Sequence, residues 1–122
     1  MKNPTLISSF KNAINGLRIA LRSERNFQYH LLALLLNLAL IAWLQVRPLE
    51  AAVVLICCGL VLAIELLNTA VEKVCDFIHP EWNQKIGTIK DLSAGAVSII
   101  SFFSLCAAVL IYWPYLLKQL GF

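Results

Sequence analysis

Residues 51–78, AAVVLICCGLVLAIELLNTAVEKVCDFI, decide the fold of this chain. The first 14 of them carry no charge but make only about 21 Å of helix, too little to cross a hydrocarbon core of about 30 Å. Beyond Glu65 neither Gly nor Pro interrupts the segment before Pro80, so the helix continues. It must therefore take Glu65 into the bilayer or to its boundary, where an ionisable group is costly and usually functional.

The composition of the 122-residue chain is that of a membrane protein. Apolar residues make up 60% and charged residues 14%, against about 45–50% and about 25% in ordinary soluble domains. This excludes a disordered chain and a soluble nucleic-acid-binding module, and it indicates one small membrane domain over residues 1–122. The four cysteines favour neither a disulfide framework nor a zinc site, because Cys57 and Cys58 are adjacent and no His or Asp lies at ligand spacing.

Two further apolar segments flank residues 51–78. Residues 27–46 are long enough to cross the bilayer, and the polar His30 and Asn37 within them are expected to make helix contacts rather than to bind a ligand. Residues 92–113 carry no charge and end in an aromatic cluster that suits a membrane interface. We therefore predict three transmembrane helices and one polar loop, namely helices at 27–46, 49–78 and 91–117 and a loop at 79–90.

Residues 1–26 predict an amphipathic helix on the bilayer surface. Projected at about 100° per residue, its apolar side chains share one arc and its basic side chains share another, which can face anionic headgroups. Most basic residues of the chain lie in this segment or in the loop at 79–90, so the positive-inside rule places both on the cytoplasmic side. The predicted fold class is an all-α membrane protein with one surface helix and three transmembrane helices.

Polar residues form a stripe on the second transmembrane helix. Four of them fall within about 60° of Glu65 around the helix axis: Asn68, Thr69, Glu72 and Asp76. The five side chains, which we call the carboxylate stripe, extend about 16 Å from inside the bilayer to the cytoplasmic surface. Because such a stripe is expensive against lipid, it must face protein, water or ions.

Other charged residues are expected at the same surface. Glu24 lies within the apolar arc of the surface helix, which suggests a partner there, and carboxylates at the polar end of a membrane helix are natural ligands for Mg²⁺. Lys90 and Asp91 lie at the cytoplasmic start of the third transmembrane helix. Carboxylates with a lysine suit a magnesium-bound polyphosphate, and the deeper, buried Glu65 would be a competent base for a lipid hydroxyl.

These residues resemble the signature of a known family. The string Glu65-Leu-Leu-Asn68-Thr-Ala-Val-Glu72-Lys-Val-Cys-Asp76, followed by Lys90-Asp91-Leu-Ser-Ala-Gly-Ala-Val, is similar to that of the small bacterial integral-membrane diacylglycerol kinases and undecaprenol kinases. The likeness covers nearly the whole chain. The Glu24-Arg-Asn-Phe string and the overall length resemble the undecaprenol kinase branch more closely, and the chain departs from the best-known diacylglycerol kinases at three N-terminal positions, Thr5, Asn12 and Ala13.

The resemblance implies a lipid kinase with ATP as co-substrate and Mg²⁺ as cofactor. It would transfer the γ-phosphate directly to diacylglycerol or undecaprenol, on the cytoplasmic side of the bacterial cytoplasmic membrane, as a homotrimer with shared active sites. Glu65 matches the general base, and Glu24 and Glu72 match the metal ligands. The implied ATP contacts are Glu24, Asn68, Glu72, Glu81, Trp82, Asn83, Lys90 and Asp91, and the implied lipid contacts are Arg18, Glu65 and Ala94.

Two other classes of membrane protein compete with this interpretation. A small multidrug or cation transporter would use Glu65 as its proton-coupled carboxylate, but it would not explain why so many other polar residues gather at one surface. A non-catalytic membrane scaffold would make Glu72 dispensable. A transporter would phosphorylate no lipid, and a scaffold would be insensitive to loss of Glu72.

Overall fold

A computed structural model describes residues 5–122, and in that range all regular structure is helical. The last three helices are long and apolar enough to cross a membrane, and the first is amphipathic. The predicted fold class of one surface-type helix and three candidate spans is thereby confirmed. The four helices are α1 (Leu6–Ser23), α2 (Arg25–Leu44), α3 (Pro48–Ile78) and α4 (Gln84–Gln119).

Helix α1 begins with a side-chain cap and ends before Glu24. The Thr5 hydroxyl oxygen accepts a hydrogen bond from the Ser8 backbone N–H. Glu24 has extended backbone angles, φ −108° and ψ 106°, so the chain turns there instead of continuing the helix to residue 26 as predicted. The apolar face of α1 is not covered by protein, since Leu6 and Phe10 are 90% and 69% exposed. Residues 1–4, which the prediction included, lie outside the described residues.

A tight corner joins α2 to α3. Gln45 adopts a left-handed conformation that ends α2, and Pro48 opens α3 at the first helical position, where its missing N–H is no loss. Tyr115 of α4 closes this corner: its hydroxyl accepts a hydrogen bond from the Arg47 backbone N–H at 3.0 Å and donates one to Glu50. An ion pair of 2.5 Å between Arg47 and Glu50 completes the cluster.

The predicted loop at 79–90 is wrong in length. Helix α4 begins at Gln84, because the Asn83 side-chain oxygen accepts hydrogen bonds from the backbone N–H groups of Lys85 and Ile86 and so caps the helix. Gly87 lies within the second turn without breaking it. The connection therefore spans only residues 79–83, and Lys90 and Asp91 lie two turns inside α4.

The protein core lies where α2, α3 and α4 meet near the corner. Its buried members are Leu44, Val46, Val54 and Tyr112. The Tyr112 hydroxyl also donates a hydrogen bond of 2.8 Å to Asn37, so Asn37 makes the helix contact that its sequence context predicts. Most other apolar side chains are exposed, and none in the most apolar part of α4 is buried. Such surfaces need lipid or neighbouring protein around them.

Replacing Tyr115 by Phe is expected to lower the free energy of unfolding by about 1–2 kcal/mol, because two hydrogen bonds at the corner are lost. Chemical denaturation in detergent micelles measures the change. Tyr29→Phe is the matched control, since Tyr29 is exposed and its hydroxyl contacts only Arg25. Equal stability of the two variants would contradict a stabilising role of the cluster.

Candidate functional site

Glu65 is a buried carboxylate within a membrane-spanning helix. The residue is 3% exposed, and its Oε2 atom lies 3.9 Å from Nε2 of His30 on α2. Helix α3 brings it there because 17 largely apolar residues precede it after the corner at Pro48. A carboxylate removed from bulk water needs a polar partner, and His30 is the side chain placed to provide one.

One and two turns along α3, Asn68 and Glu72 continue the carboxylate stripe. The Asn68 Nδ2 atom donates a hydrogen bond of 3.3 Å to Oε1 of Glu72, which their spacing of four residues allows. Asn68 is 6% exposed and Thr69 is 9% exposed, so this part of the stripe faces protein, whereas the Asp76 side chain at its far end is 64% exposed. The Asn68 Oδ1 atom is buried and has no hydrogen-bond partner among residues 5–122. It remains available to a ligand that donates a hydrogen bond.

Glu24 reaches the stripe from the corner between α1 and α2. Its Oε1 atom lies 2.8 Å from Nζ of Lys73 on α3, and it accepts a hydrogen bond from the Ser23 hydroxyl. The hydrogen bond from Lys73 lowers the pKa of the Glu24 carboxyl and outweighs the opposing effect of burial. The carboxylate is therefore ionised at neutral pH.

A second ion pair joins the end of α3 to the start of α4. Nζ of Lys90 lies 2.5 Å from Oδ1 of Asp76. Lys90 makes this contact from within α4, which begins at Gln84. Glu24 and Asp76 thus each hold a lysine ammonium at the same end of α3.

The other predicted site residues are not joined to this cluster. In the described part of the chain, no side-chain hydrogen bond or ion pair links the stripe to any of five exposed residues, which are Arg18, Glu81, Trp82, Asp91 and Ala94. Trp82 is 87% exposed. The side-chain oxygen of Asn83 is occupied as the cap of α4. Their predicted contacts with ATP or lipid stay predictions.

The carboxylates fit a metal ion that also binds phosphate, and they do not form a metal site made of protein ligands alone. Among residues 5–122 there is no group of three or more His, Cys, Asp or Glu side chains placed to hold an ion. Mg²⁺ typically takes one or two carboxylates and completes its coordination with water and substrate phosphates. The ionised Glu24 and the hydrogen-bonded Glu72 supply donors of that type.

Sequence reasoning missed two residues of the site. Lys73 directly follows Glu72 in the chain, and the sequence pattern assigns it no role. In the structure it is the ion-pair partner of Glu24. His30 was expected to make a helix contact only, and that contact is with Glu65. An isolated histidine inside an apolar span is the signal that could have found it.

Known proteins match this chain over most of its length. A family model described as prokaryotic diacylglycerol kinase matches residues 11–112. The undecaprenol kinase of Bacillus subtilis (strain 168) is 32% identical over 106 residues, 87% of this chain and 86% of the relative. The diacylglycerol kinases of Escherichia coli (strain K12) and Haemophilus influenzae are 30% and 31% identical over 100 and 107 residues, covering 82% and 88% of this chain and 82% and 87% of the relatives.

The matched region contains the whole carboxylate stripe together with Glu24, Lys73 and Lys90. The relatives are all named as kinases, and the lipids in their names are an undecaprenol and a diacylglycerol. The family model alone covers well over half of the chain. The chain is therefore a lipid kinase and belongs to the prokaryotic diacylglycerol kinase family.

Proposed function

We propose that the protein phosphorylates a membrane lipid alcohol, diacylglycerol or undecaprenol, with ATP as the phosphate donor and Glu65 as the general base. The observation that carries this proposal is the burial of Glu65 beside the remaining stripe. A single helix carries a carboxylate at 3% exposure and, two turns nearer its polar end, a second carboxylate held by Asn68. One end of the stripe can meet a lipid hydroxyl while the other meets a soluble nucleotide.

The polar end of the stripe is the proposed nucleotide site. Glu24 and Glu72 would hold the magnesium ion that accompanies ATP, which when bound offsets the negative charge of the phosphates. Lys73 and Lys90 bring two ammonium groups to the same end, each on one carboxylate. The unpaired Asn68 Oδ1 can accept a hydrogen bond from a water or hydroxyl of the bound substrates.

Proton transfer and phosphoryl transfer are coupled at Glu65. Its carboxylate takes the proton of the lipid hydroxyl while that oxygen forms a bond to the γ-phosphorus, and the bond from this phosphorus to the β,γ-bridging oxygen breaks to release ADP. Among residues 5–122 no serine or threonine hydroxyl is hydrogen-bonded to a carboxylate of the stripe, so we expect direct transfer without a phosphoenzyme. Burial favours this chemistry, since water would compete with the lipid as acceptor.

The proposed assembly is a homotrimer with sites shared between neighbours, in the cytoplasmic membrane with the nucleotide end on the cytoplasmic side. The exposed apolar faces of α2 and α4 leave area for such contacts. Arg18, Trp82, Asp91 and Ala94, which do not reach the stripe within one chain, would then contact substrates bound at a neighbour's stripe. The basic residues of α1 support the cytoplasmic orientation.

The purified protein is expected to transfer the labelled γ-phosphate of ATP to a lipid with a free primary hydroxyl. The protein is incubated with diacylglycerol, with undecaprenol and with a long-chain alkane, which is the control without a hydroxyl. Chromatography of the extracted lipids then measures the label in each. Label in one of the two alcohols identifies the acceptor. Absence of label in both, with intact protein, would refute the kinase proposal and favour a transporter.

Replacing Glu65 by Gln is expected to lower turnover by about 10²–10⁴-fold, because the amide cannot take the hydroxyl proton. The folded yield and the oligomeric state should not change. Glu50→Gln is the matched control, since Glu50 lies on the same helix at the other end and its amide oxygen can still accept from Tyr115. If the two variants have comparable turnover, Glu65 is not the general base.

Replacing Glu72 by Ala is expected to raise the Mg²⁺ concentration that gives half-maximal rate by about 10–100-fold, the size of effect seen when support of a metal ion is lost. Titration of the lipid kinase rate with Mg²⁺ at fixed ATP measures the change. Glu50→Gln serves as the comparison here too, because Glu50 lies at the opposite end of α3 from the polar end of the stripe. An unchanged requirement for Mg²⁺ in Glu72→Ala would contradict its assignment as a ligand.

A further inference from the structure

His30 is placed to act on Glu65 from a different helix. The two side chains approach within 3.9 Å, and in the part of the chain that the structure describes His30 is the one basic side chain within 4.0 Å of that carboxylate. The His30 side chain is 27% exposed, whereas the Glu65 side chain is 4% exposed. The imidazole is therefore the more exposed of the two partners.

A cavity of about 210 Å³ borders His30 and is bounded by α2, α3 and α4. Its walls are mostly apolar, but the buried hydroxyls of Ser101 and Ser104 have no hydrogen-bond partner among the described residues. The volume is sufficient for several water molecules, each of which occupies about 30 Å³ in the liquid. A water next to His30 would have hydroxyl partners within the same cavity.

Among the described residues, Glu65 is the one acidic side chain within 4.0 Å of the imidazole. From α3 the cavity also receives the thiols of Cys57 and Cys58, and from α4 it receives only uncharged side chains. His30 therefore contacts a carboxyl group and also borders a cavity that contains the hydroxyls of Ser101 and Ser104.

The chemistry proposed for Glu65 leaves it with a proton after every transfer. A buried carboxylic acid must lose that proton before it can act again, and at 4% side-chain exposure it has little access to water. Histidine is the side chain that most often takes up or releases a proton in catalysis, so a neutral imidazole beside the acid is a suitable acceptor. The separation of 3.9 Å is closed by a small side-chain movement or by one bridging water.

We propose that His30 accepts the proton that Glu65 has taken from the lipid hydroxyl and so restores the carboxylate for the next turnover. The proposal rests on Glu65 being the base. In this step the O–H bond of Glu65 breaks and an N–H bond forms at Nε2 of His30, with no change in oxidation state. The imidazolium then returns its proton to water, and His30 thus acts through Glu65 as a positioning and proton-accepting residue.

Rapid mixing separates this role from a purely structural one. In His30→Gln, the first turnover should proceed within about twofold of the unmodified protein, because Glu65 begins as a carboxylate, while steady-state turnover falls by about tenfold or more. The time course of His30→Gln should therefore show a burst of one phosphorylated lipid per active site before the slow steady state. Equal slowing of both phases, or no slowing of either, would overturn the proposal. His79→Gln is the matched control, because His79, the other histidine, lies at the end of α3 away from Glu65.

Chemical rescue gives a second, independent measurement. In His30→Ala, imidazole added to the assay should restore steady-state turnover, whereas pyrazole, a ring of the same size that is not protonated near neutral pH, should not. Equal rescue by both rings would show that the side chain only fills space. A failure of the proposed function itself is recognised separately. If Glu65 is not the base, Glu65→Gln retains its first turnover, whatever the result for the His30 variants.

Discussion

The structure depends on the constraint that a carboxylate inside a bilayer needs a polar environment of its own. Glu65 is nearly inaccessible, and lipid cannot solvate it. Its helix is therefore held against α2, where His30 faces it, and against α4, so that α3 is covered at Glu65, Asn68 and Thr69 while its apolar sides remain open. Without Glu65, nothing at this depth would require the three apolar helices to pack against a polar stripe.

The length of α3 determines where the rest of the site lies. Its 31 residues measure about 46 Å, some 16 Å more than the hydrocarbon core needs. The excess projects into water and carries Lys73 and Asp76 there, where they meet Glu24 and Lys90. The turn before α2 and the first turns of α4 thus both lie at one end of α3. The candidate site is assembled there from three separate segments of the chain.

Hydropathy and helical periodicity predicted the three spans and the stripe, because both properties belong to one helix at a time. Hydropathy and periodicity failed at the start of α4, because the polar composition of residues 84–90 predicted a loop. The side-chain cap of Asn83 starts the helix at Gln84, and the helix continues through Gly87. The contacts of His30 and Lys73 could not be predicted either. A projection around one axis states which residues share a face, but not which residue of another helix approaches it.

The two ends of the helical bundle use their charges differently. At the corner, Arg47, Glu50 and Tyr115 satisfy one another in a closed cluster, and the ion pair and the hydrogen bond to Tyr115 raise the pKa of the Arg47 guanidinium. At the opposite end, Lys73 and Lys90 each hold one carboxylate, while among the described residues Glu72 is held by the amide of Asn68 alone. Such pairs are worth little at a surface, so under the proposed function a polyphosphate with its cation would exchange partners with them at small cost. The charges at the corner satisfy one another in a closed cluster, whereas those at the other end would remain open to a ligand that carries both signs.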